Sequence, residues 1–267
     1  MITVNDVLKT LFDFAPKSLA LSYDNPGFLV GHGEREVKKV LVALDITSAV
    51  IREAKATGAE LIVAHHPVIF NAEKSITDET VTGNLVLSMA EGGIAAICMH
   101  TNLDSARGGV NDILADIFEI EDAKPIDPVE DGSVGLGRYG EMKNEMELSE
   151  FVELICEKLR CEGVRFHNAG RKVKKLAVGG GSCGEYITVA KSLGCDTIVT
   201  ADIKHNQFLD ARELSINAID AGHFATENIV CEKLCEIIRK SFPTLSVSVA
   251  ESNTDATNYF KISERKN

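Results

Sequence analysis

The sequence predicts an α/β protein of two similar βαβαβ halves packed around a shared cleft, and three observations carry that expectation. Short apolar runs with strand character alternate with segments of helical period, the pattern of parallel strands joined by right-handed crossovers. Part of the first half recurs in the second: Ala54-Lys55-Ala-Thr-Gly58-Ala-Glu-Leu-Ile62-Val63 matches Ala190-Lys191-Ser-Leu-Gly194-Cys-Asp-Thr-Ile198-Val199 at a constant offset of 136 positions, Lys55 to Lys191. Finally, four of the expected strands end in histidines or carboxylates, where ligands collect in open α/β sheets. The halves are assigned to residues 1–125 and 126–267, with room for the chain ends to cross back.

Composition bounds the function. The chain has 267 residues, 45% of them hydrophobic, enough for a large core. A formal net charge of −12 opposes direct binding to nucleic acid or to an anionic membrane, both of which draw on basic surface. The amino terminus has no basic segment followed by an apolar one, so a cytoplasmic protein is expected. Seven cysteines with no Cys-x-x-Cys pair indicate neither a disulfide framework nor a zinc ribbon, and are read as reduced core residues.

Taken in order, Thr3 caps a first helix whose Val4, Val7, Leu8, Leu11 and Phe12 form a core stripe, ended by Pro16. Tyr23-Asp-Asn-Pro-Gly27 is a turn cluster; Asp24 and Asn25 are candidates to face a site, but turn chemistry explains all five residues and is preferred. Val40 to Leu44 is a buried strand ending in Asp45, and a helix leads from it to Gly58. The next strand, Leu61 to Ala64, runs into His65, His66 and Pro67. Adjacent side chains on an extended backbone point to opposite faces, so two neighbouring metal ions suit the histidines better than one. After a polar stretch comes a helix near Leu85 to Glu91. The strand Ile94 to Met99 then ends in His100-Thr-Asn-Leu-Asp104. Residues 107–147 hold a helix near Val110 to Phe118 and a glycine-punctuated Gly135 to Gly140, strand or turn. A helix from Ser149 opens the second half, whose strands end in Gly180-Gly-Ser-Cys-Gly184, Ala201-Asp-Ile-Lys-His205 and Asp220-Ala-Gly-His223-Phe-Ala-Thr-Glu227.

His223 and Glu227 share a face if a helix begins after Gly222. With His65, His66 and Asp104 they make three imidazoles and two carboxylates, a donor set that suits two divalent ions of zinc, iron, manganese, cobalt or nickel rather than calcium or magnesium. Each residue taken singly also reads as a helix cap or a satisfied polar group. His100, Asp45 and His205 are candidates to move protons or orient ligands around the five. Cys231 and Cys235 continue the series four apart, but each helical turn carries them further from the site, and core thiols are the better reading. A competing motif is the G-x-S-x-G run around Ser182, which would make the chain a serine hydrolase. It leaves His65, His66 and Asp104 without a role, and a tight glycine turn is preferred.

Tyr23-Asp-Asn-Pro-Gly27, Leu44-Asp-Ile-Thr47, Ala64-His-His-Pro-Val-Ile-Phe70, His100-Thr-Asn-Leu-Asp104, Gly135-Leu-Gly-Arg138, Thr200-Ala-Asp-Ile-Lys-His205, Gly222-His-Phe-Ala-Thr-Glu227 and Asn253-Thr-Asp255 together resemble the NIF-three-like dinuclear metal-centre family, also called GTP cyclohydrolase I type II homologues. The resemblance covers nearly the whole chain. Tyr23 stands where a tryptophan is common, and the middle domain of longer members is lacking. The resemblance implies two α/β halves sharing a metal cleft, a dinuclear site at His65, His66, Asp104, His223 and Glu227, and a ring-shaped homohexamer. It implies a metal-dependent hydrolase of a small or nucleotide-like substrate; the alternative it leaves open is a non-enzymatic metal-binding or adaptor protein.

Overall fold

The computed structural model describes residues 1–129 and 131–259. The chain opens with α1 (Val4–Phe14), where Thr3 Oγ1 accepts from the Asp6 N–H and the Asp6 carboxylate accepts from the Thr3 N–H at 2.8 Å. This reciprocal cap satisfies donors that a helix start leaves open, and it turns Val4, Val7 and Leu11 into the core. Then come β1 (Gly27–Val30), β2 (Lys39–Ala43), α2 (Ser48–Thr57), β3 (Leu61–Ala64), α3 (Val81–Gly92) and β4 (Ala95–Cys98). Strands β2, β3 and β4 pair in parallel, and β1 runs antiparallel to β4. Two short helices, α4 (Thr101–Ser105) and α5 (Val110–Ile117), precede β5 (Ile120–Lys124).

A hairpin of β6 (Asp127–Val129) and β7 (Val134–Leu136) leads to the long β8 (Arg138–Met146) and to α6 (Leu148–Leu159). The glycine-punctuated segment is therefore two strands, broken at Gly137 with φ 62°. From there the second half retraces the first: β9 (Arg165–His167), β10 (Val173–Val178), α7 (Ile187–Ser192), β11 (Thr197–Thr200), α8 (His205–Leu214) and β12 (Asn217–Asp220). Strands β10, β11 and β12 are parallel and β9 is antiparallel to β12, as β1 is to β4. The repeat is visible in its turns as well. Gly58 and Gly194 both adopt left-handed φ, 71° and 82°, which glycine takes at no steric cost to end a helix and enter the following strand.

The chain ends with α9 (His223–Glu227), α10 (Val230–Ser241) and β13 (Ser246–Val249). Strand β13 adds to β2 of the first sheet, giving the order β1-β4-β3-β2-β13, while the second sheet runs β5-β8-β10-β11-β12-β9. The sheets thus do not divide the chain at 125/126: β5 lies before that point but in the second sheet, and β13 lies far beyond it but in the first. A strand's period of two specifies which face is buried, not which open edge receives it.

Three apolar clusters set the layers. One lies outside the first sheet under α2 and α3, and another outside the second sheet under α7 and α8. The largest joins the inward faces of both sheets through α1, α5, α6 and α10. Within it, Phe118 after α5 and Phe151 of α6 meet edge to face at 5.4 Å, a pairing worth about 0.5–1.5 kcal/mol beyond its area. The halves share one core, so the strand ends of both are held rigidly in one cleft. All seven cysteines are free thiols; Cys231 and Cys235 are buried, and burial pushes both thiols up, to about 12 and about 11. Among the described residues no helix is long and apolar enough to cross a membrane.

Candidate metal centre

The strand ends of both sheets meet at one point, and each histidine there is oriented through its Nδ1. His65, after β3, donates from Nδ1 to the Met99 carbonyl at 2.7 Å. His66 donates to Asp45, which follows β2, and His223 donates to Asp202, which follows β11, both at 2.7 Å. His100 donates to Asp24 in the turn before β1, again at 2.7 Å. An Nδ1–H held by an oxygen turns Nε2 inward and, in the neutral ring, leaves its lone pair available, the arrangement that orients metal-binding imidazoles.

The Nε2 atoms converge on two carboxylates. Glu227, on α9, is buried and stands between the adjacent histidines: its Oε1 lies 3.8 Å from His65 Nε2, and its Oε2 lies 2.9 Å from both His66 Nε2 and His223 Nε2. Asp104, on α4, points its Oδ1 at His65 Nε2 from 3.5 Å. Donor atoms of His65, Asp104 and Glu227 lie within 4.8 Å of one another, as do those of His66, His223 and Glu227, and those of His65, His66 and His100; each group could hold a metal ion. The five residues singled out as ligands are thus brought together, with Asp45 and His100 beside them.

Electrostatics follow from this crowding. Burial alone would lower the His66 and His223 imidazoles, but Asp45, Asp202 and Glu227 outweigh it and raise them to about 10 and about 9. Burial raises the Asp104 carboxyl to about 7, with His65 opposing and Glu227 adding to the rise. Burial pushes Glu227 the same way, yet the three imidazoles around it hold it well below the usual range. Two facing carboxylates with different acidities are what a site short of positive charge produces.

Glycine supplies the room. Gly181, φ 62°, passes so close that a Cβ there would lie 2.1 Å from Glu227 Oε1, and one on Gly180 would lie 3.3 Å from Glu227 Cγ. Asn111 braces this loop against the opposite half, accepting from the Gly180 N–H at 2.9 Å and donating to the Asp104 carbonyl at 2.9 Å. The glycine run is a close approach to the carboxylate rather than a nucleophile elbow. Ser182 lines the cavity, but among the described residues it hydrogen-bonds no histidine, and His223 is already held by Asp202 and Glu227. On the other flank, Arg138 pairs with Asp112 of α5 and donates to the Gly135 and Gly137 carbonyls at 2.6 and 2.7 Å, bracing the segment behind Asp104.

His205 is not at the site. It opens α8, exposed, in a separate groove with Arg165, His167 and Arg212. Asp202 occupies the place expected of it, because a left-handed backbone at Asp202, φ 52°, turns the chain after one residue. The repeat offset could have found it: 136 positions carry His66 onto Asp202. Asp24, set aside as a turn residue, is the other omission; its side chain is fully buried and accepts from His100 and from the Thr101 hydroxyl and N–H.

In front of the ligands opens a cavity of about 440 Å³, lined from both halves. A larger one of about 620 Å³, between the end of α6, the outer side of α9 and the C-terminal segment, contains no such convergence of ligands among the described residues.

The chain resembles known proteins over nearly its full length. It is 36% identical over 243 residues, 89% of this chain and 91% of the relative, to a Clostridium perfringens protein named GTP cyclohydrolase 1 type 2 homolog. It is 31% identical to NIF3-like protein 1 of Drosophila melanogaster, over 88% of this chain and 81% of that one. A Staphylococcus aureus protein of solved structure matches with a TM-score of 0.89 at 31% identity, over 97% of this chain and 99% of the other. A Bacillus cereus protein related to NIF3 matches in fold, also with a TM-score of 0.89, at 24% identity over 97% of this chain and 100% of the other. The family model for Duf34/NIF3 (NGG1p interacting factor 3) matches residues 2–258, and the chain belongs to that family.

Proposed function

We propose that the chain is a hydrolase that holds two divalent metal ions and acts on a small, nucleotide-like molecule. One observation carries the reading. His65 Nε2 and Asp104 Oδ1 are buried, face each other at 3.5 Å, and have no hydrogen-bond partner among the described residues. Because His65 Nδ1 carries the hydrogen given to Met99, its Nε2 is an acceptor, and an ionised Asp104 is an acceptor too. Two lone pairs facing each other away from water are reconciled by a proton or by a cation, and leaving them unpaired costs about 1–3 kcal/mol or more. The rise of Asp104 to about 7 expresses the same need in protons.

His65, Asp104 and one oxygen of Glu227 would hold one ion; His66, His223 and the other oxygen would hold the second. The mixed imidazole and carboxylate set suits zinc, iron, manganese, cobalt or nickel. Such ions supply Lewis acidity and a water made acidic enough to act as nucleophile near neutral pH. The remaining chemistry belongs to the chain. Asp45 and Asp202 are positioning residues that aim His66 and His223. His100, at the cavity wall with its Nδ1 fixed by Asp24, is placed to hold or move a proton at Nε2. The same reading includes a ring-shaped homohexamer in the cytoplasm, which sedimentation velocity on the native protein would measure.

The test is metal content by plasma mass spectrometry together with turnover of a panel of nucleotides and phosphate-free analogues. Two equivalents per chain and turnover abolished by a chelator are expected. Saturation at one equivalent, unchanged by His66→Ala, removes the dinuclear centre; labelling of Ser182 by a serine-directed phosphonate, with loss of turnover, replaces the hydrolase mechanism.

A further inference from the structure

The cavity before the ligands carries a recognition feature that metal binding does not require. At its mouth stand Tyr23 and Phe70, 65% and 43% exposed, with ring centroids 6.3 Å apart in an edge-to-face arrangement. Phe70 in turn meets the His100 ring edge-on at 6.0 Å. Aromatic rings left in water beside a cavity forgo hydrophobic stabilisation and mark a contact surface.

These rings are held in place. Asn25 Nδ2 donates to the Ile69 carbonyl at 2.7 Å, which ties the turn bearing Tyr23 to the loop bearing Phe70. The Asn25 N–H is taken at 2.7 Å by Asp24, the carboxylate that also holds His100. Three consecutive residues therefore do three things: Tyr23 faces outward, Asp24 anchors inward, and Asn25 bridges across. From the second half, Tyr186 lines the same cavity with its hydroxyl drawn to Asp127 at 2.8 Å.

The lining offers rings and carboxylates rather than a lysine or arginine clamp: its carboxylates are Asp104, Glu185 and Glu227, and among the described residues no lysine or arginine lines it. Its imidazoles, His66, His100 and His223, belong to the proposed metal centre and its surroundings, so the rings are the part of the lining left for recognition.

We propose that this cavity recognises a planar heteroaromatic ring, held by Tyr23, Phe70 and Tyr186. The inference rests on the metal-centre reading for what becomes of the bound ring, but the recognition itself uses no proposed ligand. Stacking of a base on an aromatic side chain contributes about 1–3 kcal/mol, which is roughly a 5- to 150-fold change in affinity per ring.

The experiment measures binding to the zinc-loaded full chain by ligand-observed NMR, with guanosine, adenosine and inorganic tripolyphosphate as probes. The nucleosides are expected to bind, and tripolyphosphate, which has no ring, to bind the ring variants as it binds the parent. Tyr23→Ala and Phe70→Ala should each weaken guanosine within that range with metal content unchanged, and Phe70→Tyr should retain binding. Alanine variants that bind guanosine like the parent, or no nucleoside binding at millimolar concentration, would each overturn the proposal. Ring-dependent binding by a chain that holds no metal would leave this inference standing and remove the metal centre; two bound metals with no nucleoside binding would do the opposite.

Discussion

Helices α4 and α9 leave matching strands of the two sheets, and in each region an acid follows a histidine by four positions, His100 and Asp104 in one, His223 and Glu227 in the other. They use that spacing in opposite ways. Gly222 takes φ 89° and ψ 140°, so α9 begins at His223, both residues lie inside the helix, and they converge at 2.9 Å. Helix α4 begins one residue later relative to its histidine. His100 is the cap, with φ −109° and ψ −117°, and its ring turns to Asp24 instead. Asp104, one methylene shorter than a glutamate, stays beside His65. A spacing of four is a pair only when the helix includes both ends, and the residue before the histidine decides that.

The comparison is broken most severely at Glu227, the carboxylate facing three imidazoles. In Glu227→Gln the amide offers one oxygen where the two proposed ions would use two, and it removes the charge that would compensate them. At least one metal equivalent should be lost, turnover should fall by 100-fold or more on the order of effects seen when ligand shells are disturbed, and stabilisation by added metal should shrink. If the variant keeps both metals and the full metal-dependent rise in Tm, the histidine and glutamate of α9 are only a helix start. Asp104→Asn should do less. It sits at the edge of the set, so it should weaken one ion by about 10–100-fold and leave the fold intact, read as metal content and Tm of the metal-free protein. An Asp104→Asn variant that loses both metals would make the two helices equal contributors.

Gly222→Ala tests the backbone half of the comparison. An added Cβ would meet nothing nearer than the Tyr259 hydroxyl at 3.5 Å, so the cost is conformational: about 1–3 kcal/mol for a non-glycine residue held at that φ. For a chain of this length that lowers Tm by about 2–4 °C per kcal/mol. An unchanged Tm would show that glycine is not what starts α9 at His223.

These contrasts also show what the sequence could tell. That His65, His66, Asp104, His223 and Glu227 come together was legible because His65 and His66 follow β3 at once and the other three lie in the short segments just past β4 and β12, and strand ends are where a sheet exposes chemistry. Of their supports, Asp45 was legible in the same way, and Asp24 and Asp202 were not. Asp24 acts through a histidine 76 positions away, and its turn neighbours explain it equally well. Asp202 works through a left-handed backbone that no composition announces, which is why His205, three residues on, looked like the better candidate. The sequence left room for the chain ends to cross back, but not which edge β13 would join, since its alternation would suit any open edge.

The smallest expected effect concerns the support beneath α4, and it sharpens why His100 leaves Asp104. Burial works against ionisation of Asp24, but hydrogen bonds from His100 and Thr101 prevail and hold its carboxyl down to about 2. A carboxylate more acidic folded than unfolded contributes stability that is present above its unfolded value, near 3.8, and is lost as pH falls through about 2. The shift corresponds to a contribution on the order of 2 kcal/mol, of which Asp24→Asn should lose about 1–2 because the amide oxygen still accepts from Thr101. Chemical denaturation of the metal-free protein should therefore show parent and variant separated at neutral pH and converging in acid, between about pH 4 and 2. With its anion gone, His100 should also become free to turn toward Asp104, as His223 turns toward Glu227, which NMR of the His100 ring would report as a change in the Nδ1 hydrogen bond. Parallel acid limbs for parent and variant would mean that Asp24 is an ordinary turn residue, and that the register of α4 alone sends His100 away from Asp104.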